Sequence, residues 1–244
     1  MYQLHSNYSL MAINHDEIKK KFSENIFWLS IPVLALDIVI FTIFNDKLCI
    51  VLTTRPKEPE KGKLILPGWV IKSGFSLEEN FDDILLRKTW IDGVYKEQLY
   101  SFWESDRDPR WHIVSIAYYA LVDKDQFLKD ADFTKIQLVE YDKLGEVEIG
   151  FDHKSIIEYA KKRLNWKLEY TTITKNILPQ KFTLTQLQKA YETILWHDID
   201  KRNFRKKIIS LKILKETGDL EKVRSNMAKL YEFSDKELKI IGIL

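Results

Sequence analysis

The sequence predicts an α/β (α+β) chain: a mixed strand-and-helix domain followed by a C-terminal winged helix-turn-helix. Two observations predict it. Between residues 30 and 168, β-rich apolar runs alternate with amphipathic helical patterns, which makes one α/β-type domain. After Lys181 the pattern changes to helix, short turn, basic helix and hairpin. A chain of 244 residues is long enough to give both parts a core.

The elements follow in order. Residues 1–29 read as a helical extension, with Asn14 as N-cap and Ile18, Phe22, Ile26 and Phe27 at helical spacing. "PVLALDIVIFTI" and "KLCIVLTTR" are β-rich and flank the turn signal Phe44–Lys47, so they read as a hairpin. Arg55–Lys63 is a polar loop containing prolines. From Ser76 to about Lys88 the chain suits a helix, with Ser76 as cap and Glu79 at the capping-box position. "VYKEQLYSFW" and His112–Asp123 are strand-like, and the charged loop Glu104–Arg110 lies between them. His153–Leu168 is an amphipathic helix. Residues 169–181 read as a linker ending near Pro179, and residues 182–244 as the DNA-binding domain. In that domain "TLTQLQKAYETIL" is a helix capped by Thr183 or Thr185. "DKRNFRKKIISLKIL" is a second helix capped by Asp200, and a Thr-Gly-Asp turn leads to the β-like "KLYEF".

Composition bounds the function classes. Net charge is +2, so the average does not announce a nucleic-acid binder. Cys49 is the lone cysteine and sits in an apolar run, where it reads as a small buried hydrophobe in a reducing, cytoplasmic setting. The most apolar run, Ser30–Phe44, holds Pro32 and Asp37 and is too short to span a membrane as a helix. No secretory signal, membrane partner, cofactor or resident metal is expected.

Charge is unevenly placed. Residues 180–230 carry twelve Lys/Arg and six acids, a net +6, so the rest of the chain is −4. Five of those positives fall within Lys201–Lys207. Such clustering is the electrostatic footprint of phosphate binding; the plain alternative is a solvated helix face. Helical spacing puts Arg202, Arg205 and Lys206 on one face and Phe204, Ile208 and Leu211 on another. Asn203 lies near the helix start, where a recognition helix meets base edges. The candidate DNA-binding residues are therefore Lys201, Arg202, Asn203, Arg205 and Lys206, with Arg224 on the wing.

"LPGWVIKSGFSLEENFDDILLRKTWI" resembles the Nudix box, G-x5-E-x7-R-E-U-x-E-E-x-G-U, in outline. Leu66-Pro67-Gly68 matches the entry, Ser76–Glu79 the helix start and Leu85 the bulky position. The chemistry differs: Trp69 stands at the box glycine, Phe75 at the first Glu, Asp83-Ile84 at the Arg-Glu pair and Trp90 at the last glycine. Arg87-Lys88 stands at the Glu-Glu pair, which reverses the sign of the face that holds divalent metal in the family. "VYKEQLYSFWESDRDPRWHIVSIAYYALVD" is similar to the ADP-ribose-pyrophosphatase-like branch, and the tail containing "DKRNFRKK" resembles the winged-helix domain of Nudix-related transcription regulators. The resemblance implies a Nudix-like mixed-sheet sandwich over residues 30–168, binding a small-molecule effector and no longer hydrolysing it. It also implies a homodimer on double-stranded operator DNA.

The effector implied is an ADP-ribose-like nucleotide or a sugar. Arg55, Arg87, Lys88, Arg107 and Arg110 are the candidate cations, and Trp103 and Trp111, with Trp69, the candidate stacking surfaces. Core or interface packing is the alternative for each tryptophan, and a self-paired loop the alternative for "DRDPR". The rival function is a hydrolase of nucleoside diphosphate derivatives that uses displaced carboxylates, the i,i+4 pairs Glu78/Asp82 and Glu79/Asp83.

Overall fold

The computed structural model describes residues 32–223 and 226–243. The expected extension over residues 1–29 and the wing residue Arg224 lie outside them. The described residues from Val33 onward form one compact unit.

Strand β1 (Val33–Phe44) is central to a mixed sheet. It turns through Asn45 and Asp46, both at positive φ, into antiparallel β2 (Lys47–Thr54), with Phe41 opposite Ile50. The Asn-Asp pair tolerates that left-handed backbone better than other non-glycine residues, which is why "FNDK" reads as a hairpin turn. Two short strands follow. β3 (Leu64–Ile65) pairs with β2, and β4 (Gly68–Val70) pairs with the start of β1, Gly68 facing Asp37. Helix α1 (Leu77–Thr89) comes next, then β5 (Tyr95–Phe102) and β6 (Ile113–Leu121). β6 runs parallel to β1 and antiparallel to β5.

Helix α2 (Lys124–Asp130) and strand β7 (Ile136–Glu140) fill a stretch that hydrophobic periodicity does not single out. Asp123 caps α2 by accepting from the backbone N–H groups of Asp125 and Gln126, a local signal for the helix start. β7 pairs with β2. Helix α3 (His153–Tyr170) then crosses the sheet.

Alternation along β1 builds two cores. Leu36, Ile38 and Ile40 face one side with Phe81, Ile84 and Leu85 of α1. Val39 and Phe41 face the other with Ile156, Ile157 and Leu164 of α3. The result is the mixed-sheet sandwich expected from the sequence.

The second core continues into the tail. It takes in Ile173, Ile177 and Leu178, then Leu187, Tyr191 and Ile194 of α4 (Leu184–Leu195) and Phe204 and Ile208 of α5 (Lys201–Ser210). Strands β8 (Leu214–Val223) and β9 (Asn226–Phe233) form the wing. Thr193 donates to the Asp46 carbonyl at 3.1 Å, fixing α4 against the β1–β2 turn.

Two expectations are corrected. The basic helix ends at Ser210 rather than Leu214: Leu211 caps it, Lys212 takes a positive φ, and Leu214 joins β8 opposite Phe233. The Thr-Gly-Asp stretch lies inside β8, where the register shifts between Glu216 and Leu220 and Gly218 has φ +83°. It is a bulge, the usual role of an αL glycine inside a strand. No helix among the described residues is long and apolar enough to cross a membrane.

Candidate functional site

The tail places its cations on an open face. Asp200 accepts from the Asn203 N–H at 2.8 Å and starts α5. Phe204 and Ile208 anchor its inner face, so Lys201, Arg202, Asn203, Lys206 and Lys207 are exposed. None of the five Lys/Arg residues of α5 forms an ion pair with a carboxylate among the described residues. Arg205 is placed differently from what its spacing suggests. It is half-buried, its guanidinium donates to Thr185 Oγ1 of α4 at 2.8 Å, and its Nε is enclosed without a partner. Glu192 holds the turn between the helices, accepting from the Ile199 N–H at 3.2 Å and from the Gln188 amide at 2.8 Å.

The Nudix-like domain gathers its cations around α1. The capping box is present: Ser76 accepts from the Glu79 N–H, and Glu79 accepts from the Ser76 N–H at 2.7 Å. α1 ends at Trp90 in the left-handed conformation, with Arg87 and Lys88 in its last turn. Lys88 Nζ lies 4.6 Å from the centre of the Trp69 ring and the Arg87 guanidinium 5.9 Å from it. Burial, then the charges of Arg87 and Arg55, lower the Lys88 pKa. Burial and Arg110 lower that of Arg55. Arg55 and Arg110 both lie over the Phe151 ring, at 5.1 and 5.5 Å. Arg55 and Arg110 thus share one ring, and Arg87 and Lys88 another.

Carboxylates engage two of these cations. Asp83 takes both Arg87 and Lys72, and these partners hold its pKa down at about 2. Arg110 is self-paired within its loop, 2.5 Å from Asp108. Arg55 and Lys88 form no ion pair among the described residues; Arg55 donates to the Pro59 carbonyl at 3.0 Å and feels the charges of Asp108 and Glu60.

Arg107 corrects an expectation. It is 8% exposed, pairs bidentately with Asp152 at 2.7 and 2.8 Å and reaches Asp37 at 3.5 Å. A guanidinium committed in this way does not face an effector. Its partners belong to a buried network in which Ser115 donates to Asp37 at 2.6 Å. His153 Nδ1 accepts from the Leu66 N–H at 2.9 Å, which leaves the ring proton on Nε2, 3.8 Å from Asp37. Burial lowers the His153 pKa, in keeping with a neutral ring. Gly68 is required here: a Cβ would lie 2.0 Å from Asp37 Oδ1.

Trp69, Trp103 and Trp111 are 51%, 62% and 58% exposed, so none is a core residue. Two crevices of about 440 and 520 Å³ lie away from Arg55, Arg87, Lys88 and Arg110, near Trp196–Asp198 where α4 meets the β1–β2 turn. They are shallow and lined by mixed charge, and the unpaired cations are the stronger functional signal. At that junction Lys161, 7% exposed, lies between the rings of Tyr141 and Trp196 and donates to Asn165 at 2.8 Å. Periodicity placed Lys161 on a helix but gave no sign of this cage.

The box carboxylates engage other partners. Glu79 serves the capping box, Asp82 meets Lys96 at 2.6 Å and Asp83 meets two cations, so neither i,i+4 pair closes on a common point. Among the described residues there is no group of three His, Cys, Asp or Glu placed to hold a metal ion. A donor set of Arg87 and Lys88 does not fit a divalent cation.

Residues 175–233 match the NrtR DNA-binding winged helix domain family. Over 210 residues the chain is 31% identical to the ADPR responsive transcriptional repressor NtrR of Acinetobacter baylyi, covering 83% of this chain and 82% of that protein. The crystal structure of Shewanella oneidensis NrtR complexed with a 27mer DNA superposes with a TM-score of 0.74 at 29% identity, covering 82% of this chain and 93% of that one. The NUDIX domain of the same Shewanella protein, complexed with ADP ribose, gives a TM-score of 0.51 at 26% identity over 60% of this chain and 98% of that one.

Proposed function

The chain belongs to the NrtR-like family of transcriptional regulators, in which a Nudix-fold domain precedes a DNA-binding winged helix, and from that premise we propose how its residues divide the work. Helix α5 enters the major groove of operator DNA. Lys201, Arg202 and Lys206 meet phosphates or guanine edges, and Asn203 faces a base edge. Arg205 sets the angle between α4 and α5. A homodimer places two such helices on a roughly two-fold site. The observation that carries this reading is the set of α5 cations without carboxylate partners on an exposed face.

The Nudix-like domain senses an ADP-ribose-like nucleotide without hydrolysing it. A sugar alone offers no charge to Arg55 and Lys88, whereas a diphosphate does. This favours the nucleotide over the sugar. The sign reversal at Arg87 and Lys88 removes the metal-held water that family hydrolysis needs, which disfavours the rival hydrolase.

The test selects duplexes from a random pool on the full chain, then titrates the selected duplex with and without ADP-ribose. The expected result is specific binding that changes about tenfold with ADP-ribose, a usual size for allosteric coupling. The expected product analysis with magnesium shows no AMP. Absence of any selected duplex sinks the DNA reading, and steady AMP release sinks the non-hydrolytic one.

A further inference from the structure

We propose that Lys161 positions the recognition helix: with Tyr141 it clasps Trp196, and this clasp carries effector binding in the Nudix-like domain to the turn between α4 and α5. The proposal rests on the reading of the chain as an effector-responsive DNA binder and deepens it by naming the contact that couples the two domains.

The clasp joins three elements. Lys161 comes from the middle of α3, Tyr141 opens the 3₁₀ turn Tyr141–Glu146 after β7, and Trp196 caps the end of α4. Trp196 lies in the winged-helix domain, Tyr141 and Lys161 in the domain before it. The two rings meet edge-on with centres 5.3 Å apart. Lys161 Nζ lies 5.4 Å from the Tyr141 centre and 5.7 Å from the Trp196 centre, and donates to Asn165 Oδ1 at 2.8 Å. An ammonium this close to two rings is attracted by both. Its burial is costly: Lys161 is 7% exposed and forms no ion pair among the described residues, and burial lowers its pKa to about 8. A methionine would fill the same space without that cost. What the ammonium adds is direction, since it draws the Trp196 ring to one place. Trp196 stands at φ +62°, a left-handed conformation that helix ends usually give to glycine. A bulky residue keeps that conformation only where its surroundings fix it, and the contacts with Tyr141 and Lys161 do so here.

The turn beyond Trp196 has room to move. His197 and Asp198 line both crevices at this junction, and Asp200 lines the second. Asp200 caps α5, so a shift of the turn displaces the end of α5 that carries Lys201, Arg202 and Asn203. α4 itself is held, by Thr193 on the Asp46 carbonyl and by Leu187, Tyr191 and Ile194 in the core. On the effector side, the N-terminus of α3 is fixed in the Nudix-like domain. Asp152 pairs with Arg107, and His153 accepts from the Leu66 N–H. Phe151 beside them carries Arg55 and Arg110, two candidate effector cations. Lys161 lies about 13 Å along the helix from Asp152, at about 1.5 Å per residue. Ile156, Ile157 and Leu164 are buried on the way, so α3 moves as one piece. A ligand that shifts the N-terminus of α3 therefore shifts Lys161 against Trp196.

The experiment compares the full chain with Lys161→Met, Trp196→Gly and Trp196→Phe by amide hydrogen exchange, duplex binding and melting. Glycine keeps the left-handed conformation and removes the ring, whereas phenylalanine keeps a ring. The reporters of the turn are the Ile199 N–H, held by Glu192, and the Asn203 N–H, held by Asp200. Their exchange is expected to speed up about tenfold in Lys161→Met and Trp196→Gly, with α4 unchanged. Affinity for the selected duplex is expected to fall about tenfold with the salt slope of wild type, since no phosphate contact is lost. The change of that affinity with ADP-ribose is expected to drop from about tenfold to under about twofold, and Trp196→Phe to keep most of it. Lys161→Met is expected to melt no lower than wild type at pH 7, which a merely structural role does not predict. Melting curves also check that the other variants are folded.

Unchanged exchange at the turn in folded Lys161→Met and Trp196→Gly overturns the clasp, as does an ADP-ribose response in both variants equal to that of wild type. The two readings fail separately. If no duplex is selected, or ADP-ribose leaves its affinity for wild type unchanged, the DNA or effector reading falls, and exchange at the turn still decides whether Lys161 holds it. A wild-type response that persists in both variants keeps the effector and removes the clasp.

Discussion

Helices α1 and α5 each carry neighbouring Lys and Arg residues, and the surroundings give them opposite tasks. On α5, Lys201, Arg202, Lys206 and Lys207 stand exposed, opposite the buried Phe204 and Ile208, and none is ion-paired among the described residues. A convex, solvated row of this kind suits an extended polyanion and is screened by salt. On α1 the cations lie in the last turn over Trp69, one paired with Asp83 and the other partly buried. A partly desolvated cation suits one compact anion. Residue type alone therefore does not assign a task to a cation; its partner and exposure do.

The largest test of that lesson compares two arginines of one loop. Arg107 and Arg110 are three residues apart, yet Arg107 is buried against Asp152 and Asp37 while Arg110 is exposed against Asp108. Arg107→Met leaves two carboxylates without their cation, so urea unfolding is expected to show a loss of about 3–5 kcal/mol. Arg110→Ala is expected to lose under about 1 kcal/mol. Equal losses would break the distinction between buried and open cations.

The next test concerns α5. In the double variant Arg202→Ala with Lys206→Ala, the slope of log affinity against log salt on duplex DNA is expected to fall by about two units, near 0.9 for each phosphate contact. Melting is expected to stay unchanged, since both side chains are exposed. An unchanged salt slope would mean that another surface carries the DNA.

Much of this was legible in the sequence, and the reason lies in range. Caps are local: Ser76 with Glu79, Thr183 with Gln186, and Asp200 with the Asn203 N–H all act within three residues. The Asn45–Asp46 turn and the basic cluster are equally local. The partners of Arg107 lie 45 and 70 residues away, so no spacing announces them, and its neighbours in "DRDPR" suggest a surface loop. The same holds for Lys161, whose cage joins a 3₁₀ turn, α3 and the end of α4.

Lys161 gives a smaller effect with a definite sign. Burial depresses its pKa from 10.5 to about 8. Between those values the unfolded chain holds a proton that the folded chain has released, so stability attributable to this group rises with pH. Below pH 8 both states are protonated and the burial penalty is constant. Lys161→Met has no such titration. The stability of wild type relative to this variant is therefore expected to be flat below pH 8 and to increase by about 1 kcal/mol per pH unit above it, measured by urea unfolding. Cys49, raised from 9.0 to about 11 by burial, acts in the opposite sense but is common to both proteins and cancels. A flat difference up to pH 10 would place the amine in water.

The smallest effect separates contact from positioning within α5 itself. By spacing, Arg205 joins Arg202 and Lys206 on one face; in the fold it turns to Thr185 and closes the angle between α4 and α5. Loss of this charged hydrogen bond in Arg205→Ala is expected to destabilise the domain by about 1 kcal/mol. DNA affinity falls with it, because α5 is no longer held at one angle, but the salt slope stays as in wild type. A phosphate contact would do the reverse, lowering the slope by about 0.9 and leaving stability unchanged. Melting and a salt titration on the same variant therefore decide whether this arginine holds the DNA or holds the helix that does.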